Sequence, residues 1–499
     1  MEEILKSSIV RGILFSAYDK LGPEPIYMFP KSSEQKKPEA KDTTHEEIHD
    51  LNLRDYTQIS IKNLSLLIGD STILNRVNVE KFQYFGIIPF PDFNLTSLTF
   101  FHFVNVKFSQ EPLATAFSLF VDENKRSFLY NNINRLKNIT LDLFQVFDNE
   151  IVDSFKSQDE IEHYFKNFLE KVLKIEETPT TPITTQRKMK IIFAGLDDSG
   201  KTSFLLSIDR KFSKLMGLKP TFGAQVSSIE TLGTTIFLWD LGGQFSLREK
   251  YLNRAQIYLY EADLIFYFID IRNRNRFEES FEYLQNITKV LKSFKQDTPI
   301  IYILSKGDPD IIESKELNDN LRIIKEKLIN IDSNNKPEMY ITSIFRLFSI
   351  LRAFSSGISK LSPNKELIGH NLENFSRETG TYLTLMLNSD GLVLADYYTP
   401  EAVFLTNIPK TEELLNVFEI TAPQFAILFK IFSKYKAIKE DEAVFKVAES
   451  TILFKKINVY RYEMYLLFLL DDEIKKDKIN NNLPNFLNRT KDLLIRYIA

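Results

Sequence analysis

Lys188-Met-Lys-Ile-Ile-Phe-Ala-Gly195-Leu-Asp-Asp-Ser-Gly200-Lys201-Thr202 is the stretch that decides how the rest of the chain is read. Its first seven residues are mostly apolar and β-prone, the pattern of a strand covered on both faces. The strand runs straight into Gly195-x4-Gly200-Lys201-Thr202, and an apolar helical pattern follows. Glycines at the two ends allow a tight loop whose backbone N–H groups turn inward. Those N–H groups and the positive end of the next helix attract phosphate. Lys201 can then neutralise β- and γ-phosphates, and the Thr202 hydroxyl can bind Mg²⁺. A chance glycine-rich turn has no reason to sit between a buried strand and a helix.

Working outward, the apolar run ending Phe237-Leu-Trp-Asp240 leads into Leu241-Gly242-Gly243-Gln244. An acidic residue at the end of a neighbouring strand sits where it can hold Mg²⁺ through water. Gly243 can offer its backbone N–H to a γ-phosphate, and Gln244 can orient an attacking water. Between the two strands lies Lys219-Pro-Thr221-Phe-Gly223, where Thr221 can complete the metal shell only while a γ-phosphate is present. The metal candidates are therefore Thr202, Thr221 and Asp240.

Two more strands follow. Leu264–Ile269 ends at Asp270, and Pro299–Leu304 ends in Ser305-Lys306-Gly307-Asp308. A carboxylate at Asp308 can accept hydrogen bonds from the N1–H and 2-amino groups of guanine, a pair adenine does not offer in that arrangement. The stem of Lys306 can lie along the base. A last strand, Glu338–Ile341, leads to Thr342-Ser343-Ile344, where a backbone N–H is expected to meet the guanine carbonyl. Arg248 and Arg272 lie near these motifs and are expected to be solvated.

The flanks carry no catalytic constellation. Lys31–Asp50 reads as a mobile polar loop, and Glu176–Arg187, with two prolines, as a linker. Before the linker, β-like runs at Gly12–Tyr18, Ile26–Phe29, Phe82–Ile88, Leu98–Val104 and Ala116–Val121 precede helical patterns at Ser127–Phe147 and Glu160–Leu173. After the nucleotide motifs, Lys365–Phe375 reads as a helix. Tyr382–Leu387 and Leu392–Tyr398 flank a turn ending Asp390-Gly391. Gln424–Phe432 reads as a helix, Ser450–Ile457 and Tyr465–Leu470 as strands, and Asn485–Ile498 as a closing helix. Both flanks are thus expected to be α+β layers on one plan, acting as interaction platforms.

Composition narrows the functions further. The 499 residues contain no cysteine, which excludes disulfides, thiol catalysis and cysteine-ligated zinc. Five scattered histidines give no metal-ligand spacing, and a formal net charge of −4 gives no field for nucleic acid. The longest apolar runs are strand-length, too short for an integral membrane segment. The amino-terminal residues lack the pattern of a signal peptide. The expected location is cytoplasmic, with membrane association only through partners or a surface patch.

The order GLDDSGKT, PTFG, WDLGGQ, SKGD and TSI over 188–345 resembles the Ras-like small GTPases. GLDDSGKT, PTFG and WDLGGQ resemble the Arf branch. Phe268–Ser280, Thr342–Ile344 and Leu361-Ser-Pro-Asn364…Asn371-Leu-Glu-Asn-Phe375 resemble the Rag branch, which carries a C-terminal roadblock domain. The resemblance implies an α/β fold: a central P-loop GTPase domain with a mostly parallel sheet and helices on both faces, flanked by two α+β longin- or roadblock-like domains. The implied boundaries are a longin-like domain at 1–175, a linker at 176–187, the GTPase domain at 188–362 and a roadblock-like domain at 363–499. It implies GTP/GDP and Mg as cofactors, and nucleotide contacts at Gly195, Asp198, Ser199, Gly200, Lys201, Thr202, Ser203, Gly243, Ser305, Lys306, Asp308 and Ser343. Gln244 is the implied catalytic residue.

The chain departs from the family at Ser305, where an asparagine normally braces the P-loop and touches the base. It also departs in carrying a longin-like domain ahead of the GTPase. Two functions compete. One is a switch that binds GTP, hydrolyses it slowly and signals to protein partners in trafficking or nutrient sensing. The other is a scaffold that keeps its nucleotide with little turnover. A kinase or ATPase does not fit the Asp308 motif. Partners are expected to be regulators, effectors and a second copy or related GTPase, paired as a homo- or heterodimer through the flanking domains.

Overall fold

The computed structural model describes residues 7, 9–19, 22–30, 51–68, 83–107, 112–151, 158–176, 189–209, 214–215, 218–231, 234–294, 296–331, 337–389, 391–402, 441–447, 450–460, 462–472 and 474–495, with further single residues between 418 and 431. Lys31–Asp50 lies outside the described residues. Of Glu176–Arg187 only Glu176 is described, as the last residue of a helix.

Three sheets organise the chain. The first is antiparallel, with β1 (Val10–Asp19), β2 (Gly22–Phe29), β3 (Gln83–Phe90), β4 (Leu95–Val104) and β5 (Leu113–Asp122) in the order β2-β1-β5-β4-β3. Helix α1 (Leu53–Ile68) covers one face. The short α2 (Ser127–Asn131) leads into α3 (Ile133–Ile151), and α3 with α4 (Gln158–Glu176) covers the other. Aromatic rings fill that second layer. Phe117 stacks on Phe165 at 5.4 Å, and Phe15 meets Phe147 edge-on at 5.2 Å. Such pairs contribute about 0.5–1.5 kcal/mol each beyond their buried area.

The central sheet runs β11-β10-β9-β6-β8-β7. In chain order its elements are β6 (Met189–Gly195), α5 (Lys201–Ile208), β7 (Ala224–Thr231), β8 (Thr234–Leu241), α6 (Phe245–Asn253), α7 (Ala255–Tyr258), β9 (Leu264–Asp270), α8 (Phe277–Ser293), β10 (Ile300–Ser305), α9 (Lys315–Ile331), β11 (Glu338–Thr342) and α10 (Leu347–Lys360). All neighbours are parallel except the edge strand β7. Strand residues alternate between two apolar layers: Phe193, Phe266 and Phe268 join Phe204 and Phe354, while Ile192, Tyr267 and Ile269 join residues of α8 and α9. Because β6, β8, β9, β10 and β11 run parallel, the loops leaving them gather at one end of the sheet, where the chain order reverses about β6.

The third sheet takes α11 (Lys365–Thr379), β12 (Leu383–Asn388), β13 (Val393–Tyr398), β14 (Glu442–Val447), β15 (Ser450–Val459), β16 (Tyr462–Leu470) and α12 (Ile474–Ile495). Its order, β13-β12-β16-β15-β14, repeats that of the first sheet strand for strand. Among the described residues, Phe418, Thr421, Ala422, Gln424–Ala426, Leu428, Phe429 and Ile431 are helical. The closing helix begins at Ile474 and runs through Pro484, well ahead of the expected Asn485. Strands β7 and β14 and helices α1 and α6 to α10 have no counterpart in the sequence reading.

The two flanking units touch. Helix α1 and edge strand β3 pack on α11 and α12. Asn364, the residue before α11, makes no cap to its own helix. Its side chain instead accepts from Ile87 N at 2.6 Å and donates to Ile87 O at 3.0 Å, satisfying the open edge of β3. Asn371 Nδ2 donates to Leu66 O at 3.0 Å and His370 Nε2 to Leu67 O at 2.8 Å, capping the last carbonyls of α1. At one edge of this contact Lys62 Nζ pairs with Asp492 at 2.6 Å. Asn364 and Asn371, two of the residues that carry the Rag resemblance, are thus spent on backbone groups of the amino-terminal unit.

Candidate functional site

The loop after β6 turns left-handed at Asp198 (φ 58°) and Gly200 (φ 88°), and Gly200 is the N-cap of α5. Lys201 is buried, and its ammonium donates to Gly195 O at 3.0 Å, Leu196 O at 2.7 Å and Ser199 Oγ at 3.2 Å, which holds it inside the loop. Burial pushes its pKa down to about 8, against the pull of Asp240 and Asp197. Ser199 is buried and its hydroxyl donates to Leu196 O at 2.7 Å, closing the turn. Ser203 faces the neighbouring cavity.

The three metal candidates meet. Thr202 Oγ1 donates to Asp240 Oδ2 at 2.6 Å and lies 2.8 Å from Thr221 Oγ1, itself 3.4 Å from Asp240 Oδ2. Burial raises the Asp240 carboxyl, while the Thr202 hydroxyl bond opposes the shift. The second oxygen, Oδ1, is buried without a partner among the described residues. An orphaned carboxylate oxygen beside two hydroxyls suits a hard divalent cation such as Mg²⁺, which takes oxygen ligands.

Gly243 lies directly against this loop, and Gln244 follows it. A Cβ on Gly243 would stand 2.0 Å from Asp197 N and 2.1 Å from Leu196 C, so only glycine fits. Gly242 N donates to Gly223 O at 3.1 Å, tying the loop of Thr221 to that of Gln244. Gln244 is the N-cap of α6. Arg248, expected to be solvated, is buried: its guanidinium pairs with Glu279 and packs on Phe245 and Tyr283 at 5.5 and 5.3 Å. A cation on a short, charged helix escapes water here because α8 supplies a carboxylate and an aromatic face. Arg272, also expected to be solvated, is 45% exposed in its side chain but pairs with Asp270 at 3.5 Å and Asp308 at 3.8 Å.

The base-side residues line a cavity of about 220 Å³ that includes Gly200, Arg272, Ser305, Lys306, Asp308 and Ser343. Ser305 is buried, and its hydroxyl reaches Ser199 O at 2.7 Å and Ile269 O at 3.1 Å, so the shorter side chain still braces the P-loop. Lys306 takes a left-handed backbone (φ 65°) and its ammonium pairs with Asp270 at 2.9 Å and Asp198 at 3.1 Å. Asp308 Oδ1 accepts the Ser343 hydroxyl at 2.6 Å. Of the backbone N–H groups in Thr342-Ser343-Ile344, that of Ser343 donates to Ser349 Oγ at 3.0 Å. The Ser343 hydroxyl orients the carboxylate, a role that residue spacing alone does not reveal. Arg276 is the residue sequence reasoning missed: its guanidinium holds both the side chain and the carbonyl of Asp197 in the P-loop, at 2.7 and 3.2 Å.

Residues 190–417 match a family model described as the Gtr1/RagA G protein conserved region. Among solved structures the chain is similar to the Arl6 BBS3 small GTPase from Trypanosoma brucei with bound nucleotide analogue GppNp. The identity is 18%, covering 34% of this chain and 95% of that one, with a TM-score of 0.27, a likeness too slight to bear on fold or function.

Proposed function

Given that this chain carries a Ras-like small GTPase of the Gtr1/RagA type over residues 190–417, we propose that it is a guanine-nucleotide switch that binds GTP and GDP with Mg²⁺ and hydrolyses GTP slowly. The observation that carries this reading is the convergence of Lys201, Thr202, Thr221, Asp240, Gly243 and Gln244 at one end of the sheet, beside the cavity of Asp308. Lys201 and the inward loop take the phosphates. Thr202, Thr221 and Asp240 would hold Mg²⁺, which supplies charge neutralisation at the phosphates when bound. Gly195, Asp198, Ser199, Gly200 and Ser203 shape the loop and helix start around them.

Asp308, oriented by Ser343, selects guanine. Lys306 lies along the base, and Ser305 fixes the loop beneath it. Gln244 holds the attacking water, and its proton leaves with the phosphate product. The β–γ bond breaks as the new P–O bond forms.

Signalling requires a surface that changes with the nucleotide. Phe222, in the Thr221 loop, is 82% exposed and Phe245, next to Gln244, is 65% exposed. Large apolar side chains left in water on both nucleotide-sensing loops support docking of an effector there. Assembly with a second copy or a related GTPase is part of the proposal. The α1–β3 face is already covered within the chain; one flanking face left open is the helical side of the third sheet, where Leu428, Ile431 and Phe445 are each more than a third exposed. No described helix is long and apolar enough to cross a membrane, and the proposed location is cytoplasmic or peripheral to membranes through partners.

Single-turnover hydrolysis of pre-bound GTP tests the reading. Slow hydrolysis that Gln244→Leu reduces by about a hundredfold supports it. Bound nucleotide with no turnover, unchanged by the substitution, favours the scaffold.

A further inference from the structure

An alternating chain of four charges runs beside Gln244. Arg248 of α6 pairs with Glu279 of α8; Glu279 accepts from Arg276 Nε at 3.0 Å; Arg276 Nη2 donates to Asp197 Oδ1 at 2.7 Å. The two ends of the chain bracket the loop that presents Gln244. At one end, Gly243 rests on the backbone of Asp197, the residue Arg276 grips. At the other, Arg248 N donates to Gln244 O at 3.0 Å, and the Arg248 guanidinium packs on Phe245. The bracket is desolvated on the helix side: the Arg248 side chain is 6% exposed, and its Nε has no partner among the described residues. Burial would raise the Asp197 carboxyl, but the Arg276 hydrogen bond and the charges of Arg276 and Arg248 hold it below its ordinary range.

We propose that Arg276, acting through Asp197 on one side and through Glu279 and Arg248 on the other, is a positioning residue that fixes Gln244 relative to the phosphate site. This rests on the reading of Gln244 as the residue that orients the attacking water. The P-loop and the loop that leads into α6 meet at Gly243, which has no side chain to lock them. A shared ion chain anchored on α8 supplies that lock. It is stiff because Arg276 binds Asp197 through two donors of one planar guanidinium, a fork that lysine cannot reproduce. The side-chain hydrogen bonds of Arg276 go to Asp197 and Glu279, so its proposed effect is on rate and not on affinity.

The full chain, loaded with GTP and Mg²⁺, is compared as wild type, Arg276→Ala, Arg276→Lys and the isosteric Glu279→Gln. Single-turnover hydrolysis and the dissociation constant of a fluorescent GDP analogue are measured for each. A misplacement of this kind lowers hydrolysis by about a hundredfold in Arg276→Ala, with Arg276→Lys in between. Nucleotide affinity stays within about threefold. Glu279→Gln slows hydrolysis too, and the Arg276→Ala/Glu279→Gln double variant is no slower than the worse single one, because both cut the same chain. Wild-type rates in Arg276→Ala and Glu279→Gln overturn the proposal. So does a loss of hydrolysis matched by an equal loss of affinity, which is the mark of a damaged fold. A wild-type protein that holds GTP without turning it over, indifferent to Gln244→Leu, removes the underlying reading and this one with it.

Discussion

The central sheet and the two flanking sheets solve opposite problems. The central strands run parallel, so their carboxyl ends deliver Gly195, Asp240, Asp270, Ser305 and Thr342 to one rim. Each flanking sheet is antiparallel, its strand ends close in turns, and its chemistry is spent inward. Ser60 bonds Ser16 at 2.7 Å, and Asn63 bonds Ser118 at 3.0 Å, polar groups satisfying one another between helix and sheet. The difference teaches that buried polar residues mean different things in the two settings. At the central rim Asp240 Oδ1, buried without a partner among the described residues, stands beside the hydroxyls of Thr202 and Thr221, where a cation can be held; in the flanks Ser16, Ser60, Asn63 and Ser118 bond across helix and sheet and serve packing, with Asn63 Oδ1 left over.

Breaking the central rim should leave the flanks standing. Lys201→Ala is expected to weaken GTP and GDP binding by more than about a hundredfold, because a buried charge facing phosphate is removed. Thermal unfolding of the flanks should be unchanged, and calorimetric titration alongside a melting curve measures both. Equal affinity in the variant would break the comparison at its strongest point.

The base pocket gives a smaller and more selective effect. Asp308→Asn should shift preference from GTP toward XTP by about tenfold or more, since xanthine carries a carbonyl where guanine carries the amino donor. Competition binding reads it directly, and a variant that still prefers GTP would show that the carboxylate held by Ser343 does not choose the base.

Perturbing the flanks should do the reverse. Asn364→Ala leaves Ile87 N–H and C=O buried and unpaired, at a cost of about 2–4 kcal/mol in stability, with nucleotide affinity unchanged. Denaturant midpoints and a GDP titration on the same protein separate the two quantities. A matching loss of nucleotide affinity would mean that the flanks and the central sheet act as one body.

How much was legible in advance follows the same division. The phosphate and base loops could be read because each needs a particular residue type at a particular strand end, and Gly195–Thr202, Asp240–Gln244 and Ser305–Asp308 all converge. Helix α1 escaped notice because its buried stripe includes Ser60 and Asn63, which read as solvent-facing. Strand β14 escaped because it is an edge strand with Val444, Phe445 and Lys446 all exposed, so no apolar alternation marks it. Arg276 closes the run Arg272-Asn-Arg-Asn-Arg276, which looks like a solvated basic turn until α8 brings Glu279 beside it. The contact between the flanking units could not be read at all, because Asn364 serves a strand 277 residues away in the chain.

The central claim is guanine-nucleotide binding, and the nucleotide that accompanies the purified full chain tests it most directly. Denaturing the protein and chromatographing the released base is predicted to give guanine nucleotide, mainly GDP, at about one equivalent per chain, as expected of a slow hydrolase that retains its product. Adenine nucleotide in the extract, or protein that carries no nucleotide and binds neither GDP nor GTP on titration with Mg²⁺, would contradict it.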